Sequence, residues 1–226
     1  YGGPDYGTAT NPRFYSDGFY SVDVATDGFV VCGFTQREGS SGNPQNDAWV
    51  IKFGFDGSII WEAILGGVAS DEARSIISTN DGGYIMTGYV RSDEITGGGR
   101  LRDYWVVKLD ADGEVDWQNT FGGSQHDEAT SISQTADNGY IVLGFSRSND
   151  GDVSGSIIPN SEKDYWLLKL DIDGNLDWEK SLGGWGDDDG FSAKQTADGG
   201  YILAGMTTST NIDIDPDDRD GSSDYW

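Results

Sequence analysis

Cysteine occurs once in the 226 residues, at Cys32, and histidine once, at His126. A lone thiol excludes an intrachain disulfide and a cysteine-built zinc site as staples of the fold. Basic residues are also scarce, 14 against 39 acidic, for a formal charge of −25. A field of that sign repels phosphate backbones and anionic membrane surfaces, so nucleic acid is excluded as the natural partner and divalent cations are favoured. Apolar runs long enough to span a bilayer are missing, as is any candidate helix longer than a turn. No signal peptide is evident either, which leaves export open. Only 5 prolines stand against 34 glycines, many in Asp-Gly or Asn-Gly pairs, a balance of tight turns rather than of collagen or linker.

What is present is a repeat with a period of 55 to 61 residues. One landmark reads Asp27-Gly28-Phe29, Asp81-Gly82-Gly83-Tyr84, Asp137-Asn138-Gly139-Tyr140 and Asp198-Gly199-Gly200-Tyr201, each followed by an apolar run ending at Gly33, Gly88, Gly144 or Gly205. This is a hairpin turn leading into a strand. After a variable loop come Asp47-Ala48-Trp49, Asp103-Tyr104-Trp105, Asp164-Tyr165-Trp166 and Asp224-Tyr225-Trp226, opening continuous apolar runs that read as strands buried on both faces. Twelve residues after each of the first three stands a second tryptophan, Trp61, Trp117 or Trp178, beyond an Asp-Gly turn. Its strand alternates, as in Val115, Trp117 and Phe121, and reads as the outermost, with one buried and one wet face. A fourth strand precedes the first landmark, where Asp17, Asp71, Asp127 and Asp188 are followed by Ser21, Ser75, Ser131 and Ser192; its small residues suit a crowded position near an axis.

Four antiparallel strands per repeat predict an all-β β-propeller of four-stranded blades, with the whole chain, 1–226, as one propeller segment. The repeats run approximately 15–70, 71–126, 127–187 and 188–226, the last incomplete, with 1–14 the tail of a preceding unit. Tyr1-Gly2-Gly3 matches the end of an outer strand and Trp226 the start of a third strand, so the chain is expected to be cut mid-blade at both ends. A compact ring closing through the N-terminus competes with a window from a longer array, and the strand edges left open favour the window.

The string from Asp103 to Trp117, continuing to Phe121-Gly122-Gly123 and Asp127-Glu128-Ala129, resembles the β-propeller repeats of large surface proteins from Bacteroidetes-type bacteria. Related secreted bacterial families are seven-bladed. The resemblance covers nearly the whole chain and implies export, commonly by type IX secretion, and roles at a cell surface or appendage. The turn-plus-tryptophan element is also similar to the docking motif of quinoprotein propellers, where a tryptophan locks one blade to the next; that role carries to Trp61, Trp117 and Trp178. No quinone-binding constellation maps onto the chain. The first repeat departs most, with Ala48 in place of tyrosine and Gly54 where later repeats have Asp110 and Asp171.

Candidate chemistry lies mainly in the loops between second and third strands. Asn149, Asp150, Asp152 and Ser154 in the third repeat, and Asp213, Asp215, Asp217 and Asp220 in the fourth, crowd oxygen ligands that suit calcium, which accepts 6 to 8 of them in loose geometry. The competing reading is a solvated loop of Asx turns, since neither string completes an EF-hand. The strings from Asp110 and Asp171 read as hairpin turns, because the first repeat keeps the turn without the first acid. Asp17, Asp71, Asp127 and Asp188 either ring a channel mouth or bond neighbouring backbone. Lys52, Lys108 and Lys169, inside third strands, read as paired or snorkelling lysines. His126 reads as a surface residue and Cys32 as core, neither in a catalytic phrase. Close carboxylate pairs carry no signal for glycoside cleavage among 39 acids. Trp185, in Gly183-Gly184-Trp185-Gly186, breaks the repeat and is the candidate ligand contact.

The reading is therefore a non-catalytic, extracellular or cell-surface module of a large exported surface, adhesin or filament protein, acting as a rigid scaffold or adhesive unit. Its partners are other repeats or copies of the same or the parent chain, with glycans as a further possibility, and no membrane insertion. The alternatives are a carbohydrate-binding module, or part of a polysaccharide-active enzyme whose site lies outside this segment.

Overall fold

A computed structural model describes residues 16–38, 44–91, 101–154, 162–209 and 224–225. Every regular element among them is a strand. The first sheet holds β1 (Gly18–Ala25), β2 (Gly28–Glu38), β3 (Pro44–Gly54) and β4 (Ile59–Leu65). The second holds β5 (Glu72–Ser78), β6 (Tyr84–Arg91), β7 (Arg102–Leu109) and β8 (Val115–Phe121), and the third β9 (Asp127–Gln134), β10 (Tyr140–Ser146), β11 (Asp164–Leu170) and β12 (Leu176–Leu182). The fourth is described as β13 (Asp188–Gln195), β14 (Tyr201–Thr207) and β15 (Asp224–Tyr225). Each sheet is antiparallel and ordered as in the chain, so strands consecutive in sequence are hydrogen-bonded neighbours.

The turns follow from side chains that bond their own backbone. Asp81 Oδ1 accepts the Gly83 amide at 3.0 Å, and Asp137 Oδ1 accepts that of Gly139 at 3.0 Å. The residue between sits in left-handed backbone, Gly82 at φ 87° and Asn138 at φ 66°. Asparagine is the side chain that best tolerates that region, which explains why it replaces glycine there.

A second device is shared by all four sheets. The first strand of each carries a β-bulge, falling between Phe19 and Ser21, Ala73 and Ser75, Ala129 and Ser131, and Gly190 and Ser192. The bulge bends the strand toward its neighbour. A Cβ added to Gly33, Gly88 or Gly144 would lie 1.9, 1.9 or 2.0 Å from a carbonyl oxygen of that bulged strand. The glycine ending each apolar run is thus fixed by close approach of backbone, not by turn chemistry.

The third strands β3, β7 and β11 are buried almost throughout, as their unbroken apolar runs require, whereas β4 and β8 alternate. The indoles of Trp49, Trp105 and Trp166 donate to Glu62, Gln118 and Glu179 on the adjacent fourth strand. The core lies in three seams between consecutive sheets. Val30, Cys32 and Val50 meet Ile76 and Val107; Ile85 and Val106 meet Ile132 and Val142; Ile141 and Leu143 meet Ala193. Burying each larger aliphatic side chain contributes about 1.5–3 kcal/mol. First strands lie against one another, β1 on β5, β5 on β9 and β9 on β13. Across them Ser21, Ser75 and Ser131 accept the amides of Ile76, Ile132 and Ala193 at 3.3, 3.4 and 3.4 Å.

Candidate functional site

The tryptophans of the fourth strands cross the seams. Trp61 of the first sheet packs edge-on against Tyr84 of the second at 5.4 Å, and its indole donates to the Ala111 carbonyl at 3.0 Å. Trp117 meets Tyr140 at 6.1 Å, and Trp178 meets Tyr201 at 5.5 Å. Gly113 and Gly174 lie directly on the rings of Trp61 and Trp117.

The recurring aspartates sit where one sheet hands over to the next. Asp127 accepts the Gly123 amide and the Ser148 hydroxyl on Oδ2, both at 2.9 Å, and the Ser146 hydroxyl on Oδ1 at 2.5 Å. Asp188 repeats this with Gly184, Ser209 and Thr207, Asp71 takes the amides of Gly67 and Arg91, and Asp17 takes the Thr35 hydroxyl and the Gln36 amide. They pin linkers and strand ends. Beside Asp127 lies Asp103, whose Oδ1 is buried with no hydrogen-bond donor among the described residues. Burial and the charges of Asp127 and Asp152 push the Asp103 carboxyl up to about 7.

In the third-repeat loop, Asp150 accepts the Ser124 amide at 2.7 Å, Asp152 accepts the Gly122 amide at 3.1 Å, and Ser154 donates to Glu179. Asp150 and Asp152 thus fasten the 122–124 linker, and Ser154 ties the loop to β12. Among the described residues no group of three or more His, Cys, Asp or Glu side chains is placed to hold a metal ion. Asp213, Asp215, Asp217 and Asp220 lie outside the described residues. Lys52, Lys108 and Lys169 are buried and paired with Asp27, Asp81 and Asp137 at 2.5, 3.0 and 2.9 Å. Burial favours a higher value for Asp81, but the Thr79 hydroxyl, Lys108 and the Gly83 amide outweigh it and hold that carboxyl at about 2. Cys32 is fully buried. Trp185 is 68% exposed at the turn before β13.

Sequence reasoning missed a basic concavity of about 630 Å³ between the second and third sheets. Arg91, Arg102, Arg147, Lys163, His126 and Glu128 line it. Two of the cations belong to a repeated latch. Asn46, Arg102 and Lys163, each just before the recurring aspartate of a third strand, reach an acid at the start of the next sheet, Glu72, Glu128 and Asp189, at 2.6, 2.6 and 2.8 Å. Their backbone amides donate to Ser70, His126 and Asp187 at 3.2, 3.2 and 3.0 Å. His126 is therefore half-buried and structural at Nδ1, not a plain surface residue. Arg91 and Arg147 occupy equivalent positions three residues after Gly88 and Gly144, where the first repeat has Gln36 and the fourth Thr208. That doubled arginine is the signal in the sequence that could have marked the concavity.

No protein-family model matches the chain. It is 26% identical over 163 residues to "Regulatory protein FlaEY" of Caulobacter vibrioides, covering 68% of this chain and 17% of that protein, so it spans less than a fifth of that relative's length. Among solved structures, Sqt1 from Chaetomium thermophilum is similar with a TM-score of 0.42 and 14% identity, over 86% of this chain and 42% of that one. Neither likeness assigns a family or a function.

Proposed function

We propose that the chain is a non-catalytic propeller module of an exported surface, adhesin or filament protein, its sheets serving as blades of a rigid scaffold that joins further copies head to tail. One observation supports this above the others. Val22 is 64% exposed, while its equivalents Ile76, Ile132 and Ala193 are 1, 2 and 1% exposed in the seams. At the opposite end Ile202 is 62% exposed, while its equivalents Val30, Ile85 and Ile141 are all at 0%. The back of the first sheet and the front of the fourth are thus the two halves of the seam that the chain builds three times internally. A further repeat of the parent chain would complete it, and so would a second copy presenting its fourth sheet to the first, with Ser192 placed for the Val22 amide as Ser21 is for that of Ile76. Such a contact is heterologous and propagates.

Sedimentation velocity at about 0.15 M salt, where the Debye length of about 8 Å screens self-repulsion, tests the assembly. Wild type associates with rising concentration, Val22→Asp and Ile202→Asp are each monomeric, and their mixture forms a dimer from the one intact face each retains. A wild type that stays monomeric sinks the assembly, as does a mixture that fails to pair. An Ile202→Asp variant that still self-associates points to a back-to-back contact and overturns the head-to-tail one.

A second reading, a carbohydrate-binding module, is favoured by the exposure of Trp185. Glycan-array binding lost on Trp185→Ala, with unfolding unchanged, selects it over the first.

A further inference from the structure

The concavity between the second and third sheets collects four cationic side chains in a chain with only 14. Arg102 and Lys163 are held by Glu128 and Asp189, and Arg102 also stacks on Tyr89 at 4.1 Å. The Arg147 Nη2 stands 3.9 Å from Asp187. Among the described residues no carboxylate lies within ion-pair distance of the Arg91 guanidinium, and the Arg91 backbone amide donates to Asp71. Opposite them His126 accepts the Arg102 amide at Nδ1, which leaves the neutral ring's proton on Nε2 as a donor. Structure alone requires only the latch pair, and the first repeat does without even that cation by using Asn46. Arg91 and Arg147 belong to neither latch pair.

We propose that this concavity binds a small molecule through one oxyanion group, a sulfate, phosphate or carboxylate, taken by Arg91 and Arg147 with the His126 Nε2–H as a further donor. Guanidinium forks match the paired oxygens of such groups. The volume falls in the range of small-molecule sites, about 300–1,000 Å³. A small anion suits it better than a polyanion, because the surrounding charge of −25 opposes any ligand extending beyond the concavity.

Burial and the charges of Arg102, Arg147 and Arg91 lower the His126 imidazole below its ordinary value, against the opposing pull of Asp127. An oxyanion bound among these groups reverses the balance and favours the imidazolium. Binding therefore takes up a proton and strengthens as pH falls through the titration of His126.

His126, the sole histidine, is a unique resonance inside the site. The test follows its ring protons by NMR at pH 7 while sodium sulfate, sodium phosphate or sodium glucuronate is added at ionic strength held constant with chloride, with glucose as the uncharged control. The expected result is a saturable shift with at least one anion and none with glucose, weakened about tenfold or more in Arg91→Gln and in Arg147→Gln. Saturation by sulfate or phosphate identifies a tetrahedral oxyanion, and saturation by glucuronate alone a carboxylate. Shifts that do not saturate, or that persist unchanged in both variants, overturn the proposal. The assembly of copies has a separate readout, so the two fail independently.

Discussion

The glycine of the turn between the third and fourth strands occurs in three sheets with one backbone conformation and two surroundings. Gly57, Gly113 and Gly174 have φ of 82, 85 and 82°. A Cβ at Gly57 meets nothing within 4 Å, whereas at Gly113 it lies 2.7 Å from Trp61 and at Gly174 2.6 Å from Trp117. Alanine at Gly57 therefore meets only the left-handed penalty, about 1–2 kcal/mol. At Gly113 and Gly174 the same penalty is joined by an overpacking cost of about 1–3 kcal/mol. Neither ring can simply swing aside, since Trp61 is held by the Ala111 carbonyl and Tyr84, and Trp117 by Tyr140.

For a chain of this length a loss of 1 kcal/mol lowers the unfolding midpoint by about 2–4 °C. Gly57→Ala is expected to cost about 2–8 °C, and Gly113→Ala and Gly174→Ala a further 2–12 °C or so. Differential scanning calorimetry of the three variants gives the comparison, and Gly113→Ala in a Trp61→Ala background gives the coupling. In that background the cost of Gly113→Ala should fall to the Gly57→Ala value. Equal costs at all three glycines, or an excess that survives removal of Trp61, would refute the idea that tryptophan docks on the next sheet's turn.

Asp103 has a folded value raised to about 7, above the ordinary 3.8, so its contribution is fully present below 3.8 and is lost as pH rises through about 7. Asp103→Asn should flatten that part of the stability profile and raise the midpoint at pH 7.5, as thermal melts across the window will read. Asp150→Ala and Asp152→Ala each remove a bond to the 122–124 linker. Their midpoints should fall by the same amount in millimolar calcium and in chelator, and a loss confined to the calcium arm would reveal an ion between them. Burial pushes the Cys32 thiol far up. Its labelling by a thiol reagent should therefore track unfolding in urea, and rapid labelling of the native chain would place it elsewhere than the first seam.

Strands and turns were legible because their signals are local. A short unbroken run rich in valine and tryptophan, such as Trp105-Val106-Val107, reads as a strand buried on both faces, and Asp-Gly between two such runs reads as a hairpin turn, although Asp189-Gly190 falls inside β13. The function of Gly33, Gly88 and Gly144 was not legible, because it depends on a carbonyl of the bulged strand that composition does not announce. Likewise Ser21, Ser75 and Ser131 stood out as small residues, while their bonds to the next sheet's amides needed the stacking itself. The acidic loop at Asn149–Ser154 stood out by its oxygen density, while the bonds of its carboxylates to the amides of Gly122 and Ser124 needed the fold.

The basic concavity was hidden for a different reason. A net charge of −25 describes the far field, but within a Debye length of about 8 Å the nearest side chains decide what is attracted. The repeat makes such local reversal inexpensive. Ser70, His126 and Asp187 all accept the same backbone amide, and Asn46–Glu72, Arg102–Glu128 and Lys163–Asp189 all close the same latch. Because geometry at these positions is met by several side chains, their charge is free to vary while the seams stay fixed. The positions that build the seams, by contrast, admit few alternatives: a glycine under a carbonyl, a tryptophan on a turn. On the proposed reading, ligand specificity therefore enters at the latch and its neighbours Arg91 and Arg147, in one seam at a time, without disturbing the other seams.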